Sequence, residues 1–419
     1  MNTAAMASEV STGIFRDPVG EKDRIVKRSI LVISIALTLV AVFAALFLAC
    51  APQFGATTGR DELAAIMDSD NFREGRFYNM QKTQLESTHG GLLKSTVDYL
   101  LGGQERTPAG ELPVVSVDCG KLRESTQELR VTWLGHSTSL IELDGLLILT
   151  DPMFGGRASP IPFLGPKRFS GRKPVTIEQL PEIDIVVISH DHYDHLDYRS
   201  ILKLKDKVRK FYVPLGVEAH LEKWGVDRAK VEELDWWQES THGPLKLIAT
   251  PSRHFSGRGL SDRNRTLWCS WVIQGSERKV FFGGDSGYSE AFAQIGQRFG
   301  PFDLTMLECG AYSQYWPDVH MMPEETVQAH KDLGGGILMP IHWAGFNLSL
   351  HSWTEPVERL LAETWNRDVI VAVSKIGEMF EPDVYLPQVA WWEQVTGKAT
   401  VARTDTGPGG LFPAGETSN

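Results

Sequence analysis

Cysteine is scarce in this chain, and what there is of it is scattered. The four cysteines in 419 residues, Cys50, Cys119, Cys269 and Cys309, form no C-x-x-C pair, which excludes a fold built on disulfides. Cys269 and Cys309 lie in apolar, strand-like runs and read as buried free thiols. A basic stripe is also missing: 42 lysines and arginines face 53 aspartates and glutamates, for a formal net charge of −11. Nucleic acid is thereby excluded as the main partner, while a membrane is not. No flavin-binding or haem motif is present to support electron transfer. With 42% hydrophobic and 23% charged residues, the composition is that of an ordinary globular protein. The length is compatible with one large catalytic domain carrying appendages.

One long apolar run is present. Residues 29–49 are 21 in number and carry no formal charge, enough for a helix to span a bilayer core of about 30 Å. Lys22, Arg24, Lys27 and Arg28 stand just ahead of it. By the positive-inside rule they leave the amino terminus in the cytoplasm and put everything beyond residue 50 outside. We therefore expect a cytoplasmic tail over 1–28, a transmembrane anchor over 29–50 and an extracytoplasmic catalytic domain. A lipoprotein signal ending at Cys50 is the alternative, and it also tethers the domain to a membrane. Residues 51–125 hold aromatic islands at 53–55 and 71–79 in a polar background. These predict an arm packed on the catalytic domain of 126–392. Beyond 393 the composition turns to Thr, Gly, Pro and Ser, predicting a loose tail to 419.

Strand signals recur over 130–134, 139–143, 146–150, 183–189, 246–250, 269–274, 279–283 and 336–340. Helical patterns fall over 198–204, 214–224, 323–333 and 355–364. Several strands in close succession, followed by alternating strands and helices, predict an α/β fold of two mixed sheets with helices outside.

The richest stretch is His190-Asp191-His192-Tyr193-Asp194-His195, directly after the apolar run 183–189. Two alternating histidines on one side of a loop can reach one ion, and the Asp-His pair beyond them is placed for a second. Later apolar runs end the same way. His254 follows 246–250, Asp285 follows 279–282 behind Gly283-Gly284, and His342 follows 336–340. The two glycines are expected to let the backbone crowd close to an ion.

This order, H-x-H-x-D-H, then His, then Gly-Asp, then His, resembles the metallo-β-lactamase superfamily. The resemblance implies an αββα sandwich with two zinc ions at one edge. Within it, the segments 133–138, 151–154, 157–160, 165–169 and 340–343 resemble the N-acylphosphatidylethanolamine-hydrolysing phospholipases D. It implies His190, His192 and His254 around one Zn²⁺, Asp194, His195 and His342 around the other, and Asp285 between them. A water activated between the ions would be the nucleophile. His320 matches an active-site histidine near the headgroup, so Asp194, Asp285 and His320 are the expected catalytic residues. Asp151 is expected to orient ligand histidines and His136 to stand behind them. Arg253, Arg258, Arg263 and Arg265 crowd the loop after His254; Arg258 is expected, with His320, to bind a phosphate-bearing lipid. His330 and His351 have no metal spacing. His89, His220 and His242 read as exposed, and Trp236-Trp237 and Trp391-Trp392 as packing residues. The expected partners are a phospholipid substrate and a membrane, with two Zn²⁺ as cofactors.

Overall fold

The computed structural model describes residues 18–56, 59–84, 91–103, 105–123 and 129–396. The first part of the expected cytoplasmic tail, the expected loose tail beyond 396, and His89 lie outside these. The chain divides into two compact units, Met1–Ala51 and Pro52–Asn419.

Among the described residues the first unit is one helix, α1 (Pro18–Cys50). Its stretch Lys22–Leu48 is long and apolar enough to cross a membrane. The expected boundary at residue 28 is not a structural one, since Lys22 to Arg28 occupy the opening turns of the same helix. Nothing in that stretch breaks a helix after Pro18, and proline is well suited to a first turn.

The second unit starts with the arm: α2 (Arg60–Met67), a hairpin of β1 (Phe72–Arg73) and β2 (Arg76–Phe77), and α3 (Gly91–Leu101). Phe77 is completely buried and meets Phe72 edge to face at 4.9 Å between ring centroids. Two residues beyond the hairpin, Asn79 grips the backbone of His254 twice. Its Nδ2 donates to the His254 carbonyl (2.8 Å) and its Oδ1 accepts from the His254 N–H (3.1 Å).

The first sheet holds β3 (Arg130–Gly135), β4 (Thr138–Leu143), β5 (Leu146–Thr150), β6 (Ile183–Val187), β7 (Val208–Pro214) and β8 (Val231–Leu234). Its outer helices are α4 (Tyr198–Leu204) and α5 (Glu218–Lys223). The second holds β9 (Glu239–His242), β10 (Leu245–Thr250), β11 (Ser270–Gln274), β12 (Lys279–Phe282), β13 (Phe302–Glu308), β14 (Gly335–Ile341) and β15 (Ile370–Val371). Its helices are α6 (Ala291–Phe299), α7 (Pro323–Asp332) and α8 (Glu355–Asn366). A last strand, β16 (Met379–Phe380), returns to β3, so the orders are β16-β3-β4-β5-β6-β7-β8 and β15-β14-β13-β12-β11-β10-β9. This is the expected αββα sandwich. Alternation along each strand divides the core: Ile148, Ile185 and Val187 join the cluster that includes Leu247, Trp271 and Val280 of the other sheet. Leu147, Leu149 and Val186 face the cluster of Ile201, Leu204 and Leu221 under the outer helices.

Eight strands were not expected: the two-residue β1, β2, β15 and β16, and the longer β7, β8, β9 and β13. In β13 the polar residues have side-chain partners that free the strand to form. Asp303 pairs with Arg278 at 2.8 Å, and Thr305 meets His330 Nδ1 at 2.7 Å. Pro214 closes β7 instead of opening a helix, and α5 begins only at Glu218.

Candidate metal centre

The strands β5, β6, β10, β12, β13 and β14 all end at one edge of the sandwich, and each delivers a polar residue there. Asp151 follows β5, the His190 loop follows β6, His254 follows β10, and Asp285 follows β12. Glu308 ends β13 and His342 follows β14. The loop after β6 is compacted by backbone N–H groups of His195 and Leu196 donating to the His192 carbonyl. Asp197 then caps α4 by accepting from the Ser200 N–H at 3.0 Å.

Asp285 is the geometric centre of the group. Its Oδ2 lies 3.1 Å from His195 Nε2, 3.2 Å from His342 Nε2, and 3.8 Å from both His190 Nε2 and His254 Nε2. His192 Nδ1 is 2.8 Å from His190 Nε2 and 3.3 Å from His254 Nε2. Asp194 Oδ2 is 3.2 Å from His342 Nε2 and 3.4 Å from His195 Nε2. The seven residues expected as ligands are thus gathered into two adjoining clusters that share Asp285.

The donor set fits divalent metal binding. Five imidazoles and two carboxylates converge with no thiolate among them, a mixture that suits zinc and its neighbours in the transition series. Asp285 Oδ1 and His195 Nε2 are buried without a hydrogen-bond partner, a costly arrangement for polar atoms unless a cation completes it.

The supporting shell fixes which ring nitrogen faces inward. Asp151 Oδ2 accepts from His195 Nδ1 at 2.7 Å, and its Oδ1 accepts from the Ser189 N–H at 2.7 Å. His254 Nδ1 donates to the Val319 carbonyl at 2.8 Å. His136 Nε2 stands 3.0 Å from Asp194 Oδ2. The protein's own electrostatics divide the histidines. Burial, then the charges of neighbouring imidazoles, holds His190 well below its ordinary pKa, and burial does the same for His254. Burial also opposes protonation of His342, but Asp285 and Asp194 outweigh it and raise its pKa to about 10. For Asp194 and Asp285 burial raises the pKa, yet His195 beside both keeps them ionised far below the usual carboxylate range.

Three residues around the centre carry strained backbones: His136 (φ 57°), Asp151 (φ 32°) and His342 (φ 60°), none of them glycine. The glycines act differently from the expectation. A Cβ on Gly284 would approach Ser189 Cβ to 2.5 Å, so the glycine admits the strand that precedes His190 and not an ion.

The expected substrate contact of Arg258 is corrected. This arginine is 3% exposed, and its guanidinium is consumed by backbone carbonyls of Gln53, Asp191 and Leu196. It ties residues 52–56 to the metal loop. His220 belongs to the same tie and is buried, not exposed: its Nδ1 accepts from the Ala56 N–H at 2.9 Å and its Nε2 lies 3.4 Å from Asp191 Oδ2. His242 is half-buried. Of the four arginines in that loop, Arg253 is paired with Asp318 at 2.7 Å. Arg263 is exposed, with its guanidinium 5.2 Å from the centroid of Phe255, whose ring lies 4.6 Å from that of His192.

Two features escaped the sequence reading. Glu308, fully buried, accepts from His320 Nδ1 at 2.6 Å. A cavity beside His342 is lined by Phe169, Phe346 and Trp353 together with Arg106 and His351, and Arg106 Nη1 and His351 Nε2 are buried there without hydrogen-bond partners.

A family model described as a beta-lactamase superfamily domain matches residues 147–343. An N-acyl-phosphatidylethanolamine-hydrolyzing phospholipase D of Caenorhabditis elegans is 34% identical over 283 residues, 64% of this chain and 79% of its own length. The chain belongs to the beta-lactamase superfamily of metal-dependent hydrolases. A Mycobacterium bovis protein described as uncharacterised is 45% identical over 334 residues, covering 78% of this chain and 89% of its own. Among solved structures, a metallo hydrolase of Ignicoccus hospitalis matches at 22% identity and a TM-score of 0.48, over 61% of this chain and 99% of that one. A superfamily hydrolase, homologous to the phospholipases D, is therefore the setting for the site.

Proposed function

We propose that this hydrolase is a membrane-tethered, dinuclear zinc phosphodiesterase of the phospholipase D type, acting on N-acylphosphatidylethanolamine-like phospholipids. The observation that carries the dinuclear reading is the single oxygen, Asp285 Oδ2, within 3.1 to 3.8 Å of four imidazole nitrogens from three separate loops. His190, His192 and His254 would hold one Zn²⁺, Asp194, His195 and His342 the other, and Asp285 would serve both.

Two zinc ions bound there supply Lewis acidity toward a phosphoryl oxygen and a water acidified toward neutral pH. The chain does the rest. Asp151 and the Val319 carbonyl hold the Nδ1–H of His195 and His254, so both rings present Nε2 to the centre. The ligand side chains are nearly sealed from water, apart from Asp194 at 13% exposure and the half-buried His192, and these two mark the side from which substrate would enter. His320 lies between the clusters, its ring 5.1 Å from that of His254 and 5.4 Å from that of His342. There it can carry a proton to the departing alcohol oxygen. Arg263 and Arg106, whose Nη1 has no hydrogen-bond partner among the described residues, are cations available to an anionic headgroup, and Phe169, Phe346 and Trp353 give the cavity beside His342 an apolar wall. The helix α1 supports the tether: it would keep the site beside a substrate that never leaves the bilayer.

The test is a metal-analysed sample of the full-length protein offered an N-acylated phosphatidylethanolamine, phosphatidylcholine, a lactone and a β-lactam. Release of phosphatidic acid from the first two supports the reading. Efficient opening of the lactone or β-lactam with both phospholipids untouched refutes the phosphodiesterase and leaves the metal centre standing.

A further inference from the structure

Glu308 closes β13 at the same sheet edge as the ligands, and it is 0% exposed. Its Oε1 accepts from the Ser286 N–H at 2.9 Å and from the Met321 N–H at 3.3 Å. Its Oε2 is 2.6 Å from His320 Nδ1. Each of these three hydrogen-bond partners is a donor, with His342 Nδ1 further off at 3.9 Å from Oε2, and a group with two acceptor oxygens is the match. An amide in its place would have to turn its NH₂ toward His320, because the two backbone N–H groups fix where the acceptor oxygen must be.

The consequence falls on His320. A carboxylate against Nδ1 requires the proton on Nδ1, and the neutral ring then offers Nε2 as an acceptor. His320 stands outside the seven ligands, between the rings of His254 and His342, and its side chain keeps 13% exposure. That combination of a locked ring and partial exposure beside the reacting centre is the arrangement of an oriented base.

We propose that Glu308 is a positioning residue that holds His320 in the Nδ1–H tautomer, so that Nε2 accepts and returns one proton during hydrolysis. This deepens the reading given above and rests on His320 acting in it. In the step, an O–H bond of the attacking water breaks and its proton goes to Nε2. The water oxygen forms the new P–O bond as the P–O bond to the alcohol breaks. The Nε2 proton then passes to the alkoxide, giving an alcohol and a phosphomonoester.

The experiment uses the full-length zinc-loaded protein in detergent, labelled with ¹⁵N-histidine, as wild type and as Glu308→Gln. Long-range ¹H–¹⁵N spectra in mildly alkaline buffer, taken without substrate, read the His320 tautomer, and His320→Gln assigns its signals. The wild type is expected to show Nδ1–H and Glu308→Gln to show Nε2–H. On whichever substrate the wild type turns over, Glu308→Gln should lower kcat by roughly a hundredfold, within the range for losing a positioned base. KM should stay within about twofold and the zinc content should be unchanged. The double variant with His320→Gln should be no slower than His320→Gln alone. Wild-type His320 in the Nε2–H tautomer, Glu308→Gln with full kcat, or a loss of rate matched by a loss of zinc overturns the proposal. The tautomer is read without substrate, so failure of the phospholipid assignment leaves it standing as a separate result.

Discussion

Asp285→Asn is the sharpest perturbation of the centre, since it preserves shape and removes one negative charge. Asp285 Oδ2 lies 3.1 to 3.8 Å from the four Nε2 atoms, so any cation they hold sits against it. A unit charge pair at 4 Å with an effective dielectric of 20 is worth about 4 kcal/mol, or roughly a thousandfold in affinity at 1.4 kcal/mol per decade. Proton competition works the other way. Against the effect of burial, Asp285 raises the pKa of His342 to about 10, and its removal makes that ring easier to deprotonate for a metal. The net loss is expected near a hundredfold per site. The assay is zinc content by mass spectrometry after dialysis against a chelator-buffered zinc solution, with kcat measured on the same samples. Wild type should retain about two equivalents and the variant fewer than one, with turnover down by about a hundredfold or more. Two equivalents and undiminished turnover in Asp285→Asn would refute the shared position of this carboxylate.

The remaining expectations concern the supports of the site. Deleting residues 1–50 should give a water-soluble, metal-loaded protein, whereas the full chain should resist high salt and leave membranes only in detergent; release by salt alone defeats the anchor. Deleting through residue 57 should cost metal affinity as well, because the Pro52 and Gln53 carbonyls accept from Trp224 and Arg258. Arg258→Met should lower stability by about 3 kcal/mol through the loss of buried charged hydrogen bonds, seen as a falling denaturation midpoint, and a raised KM at unchanged stability would return this arginine to the substrate. His330 should add a pH dependence. Burial, then Lys331, lowers its pKa from 6.5 to about 4. The folded state thus binds fewer protons than the unfolded one between those values, and stability is fully present above pH 6.5 and lost as pH falls toward 4. At about 1.36 kcal/mol per unit, (6.5 − 4) × 1.36 gives about 3 kcal/mol. Urea titrations at pH 7.5 and pH 4.5 should show His330→Gln losing less on acidification by about that amount, and parallel losses would disprove it.

The fold was readable where strands were mostly apolar, with at most one charged residue inside. The stretches around β5, β6, β10 and β12 are buried on both faces, and such strands announce themselves. Strands with several polar residues inside did not. In β7 the run Val208-Arg209-Lys210 reads as a surface segment, and only the parallel register of Val186 with Phe211 on the neighbouring strand makes it core. The same blindness affected Arg258 and His220. A cation or an imidazole in a loop reads as solvated unless one knows which backbone carbonyls and N–H groups converge on it from residues 52–56, some 160 to 200 positions away.

Within the site, the seven candidate ligands were legible because each follows an apolar strand, and a strand end is where this architecture exposes side chains. Glu308 sits at an equivalent position and was hidden with its strand. What the sequence could not reveal at all is the backbone that aims these groups. His136, Asp151 and His342 occupy the left-handed region, at a cost of about 1 to 3 kcal/mol each for non-glycine residues, and no glycine or asparagine marks the places. Local contacts offset that cost. The His136 carbonyl accepts from Trp133 Nε1 (2.8 Å) and from the His342 N–H (3.2 Å). The Asp151 carbonyl accepts from Thr138 Oγ1 at 2.7 Å, while its carboxylate takes the Ser189 N–H and His195 Nδ1. Two of the three strained residues are thereby linked backbone to backbone, and the third holds a ligand imidazole. A glycine at 151 would relieve the strain but remove the carboxylate that orients His195, and one at 342 would remove the imidazole itself, so the strain persists where the centre needs those side chains.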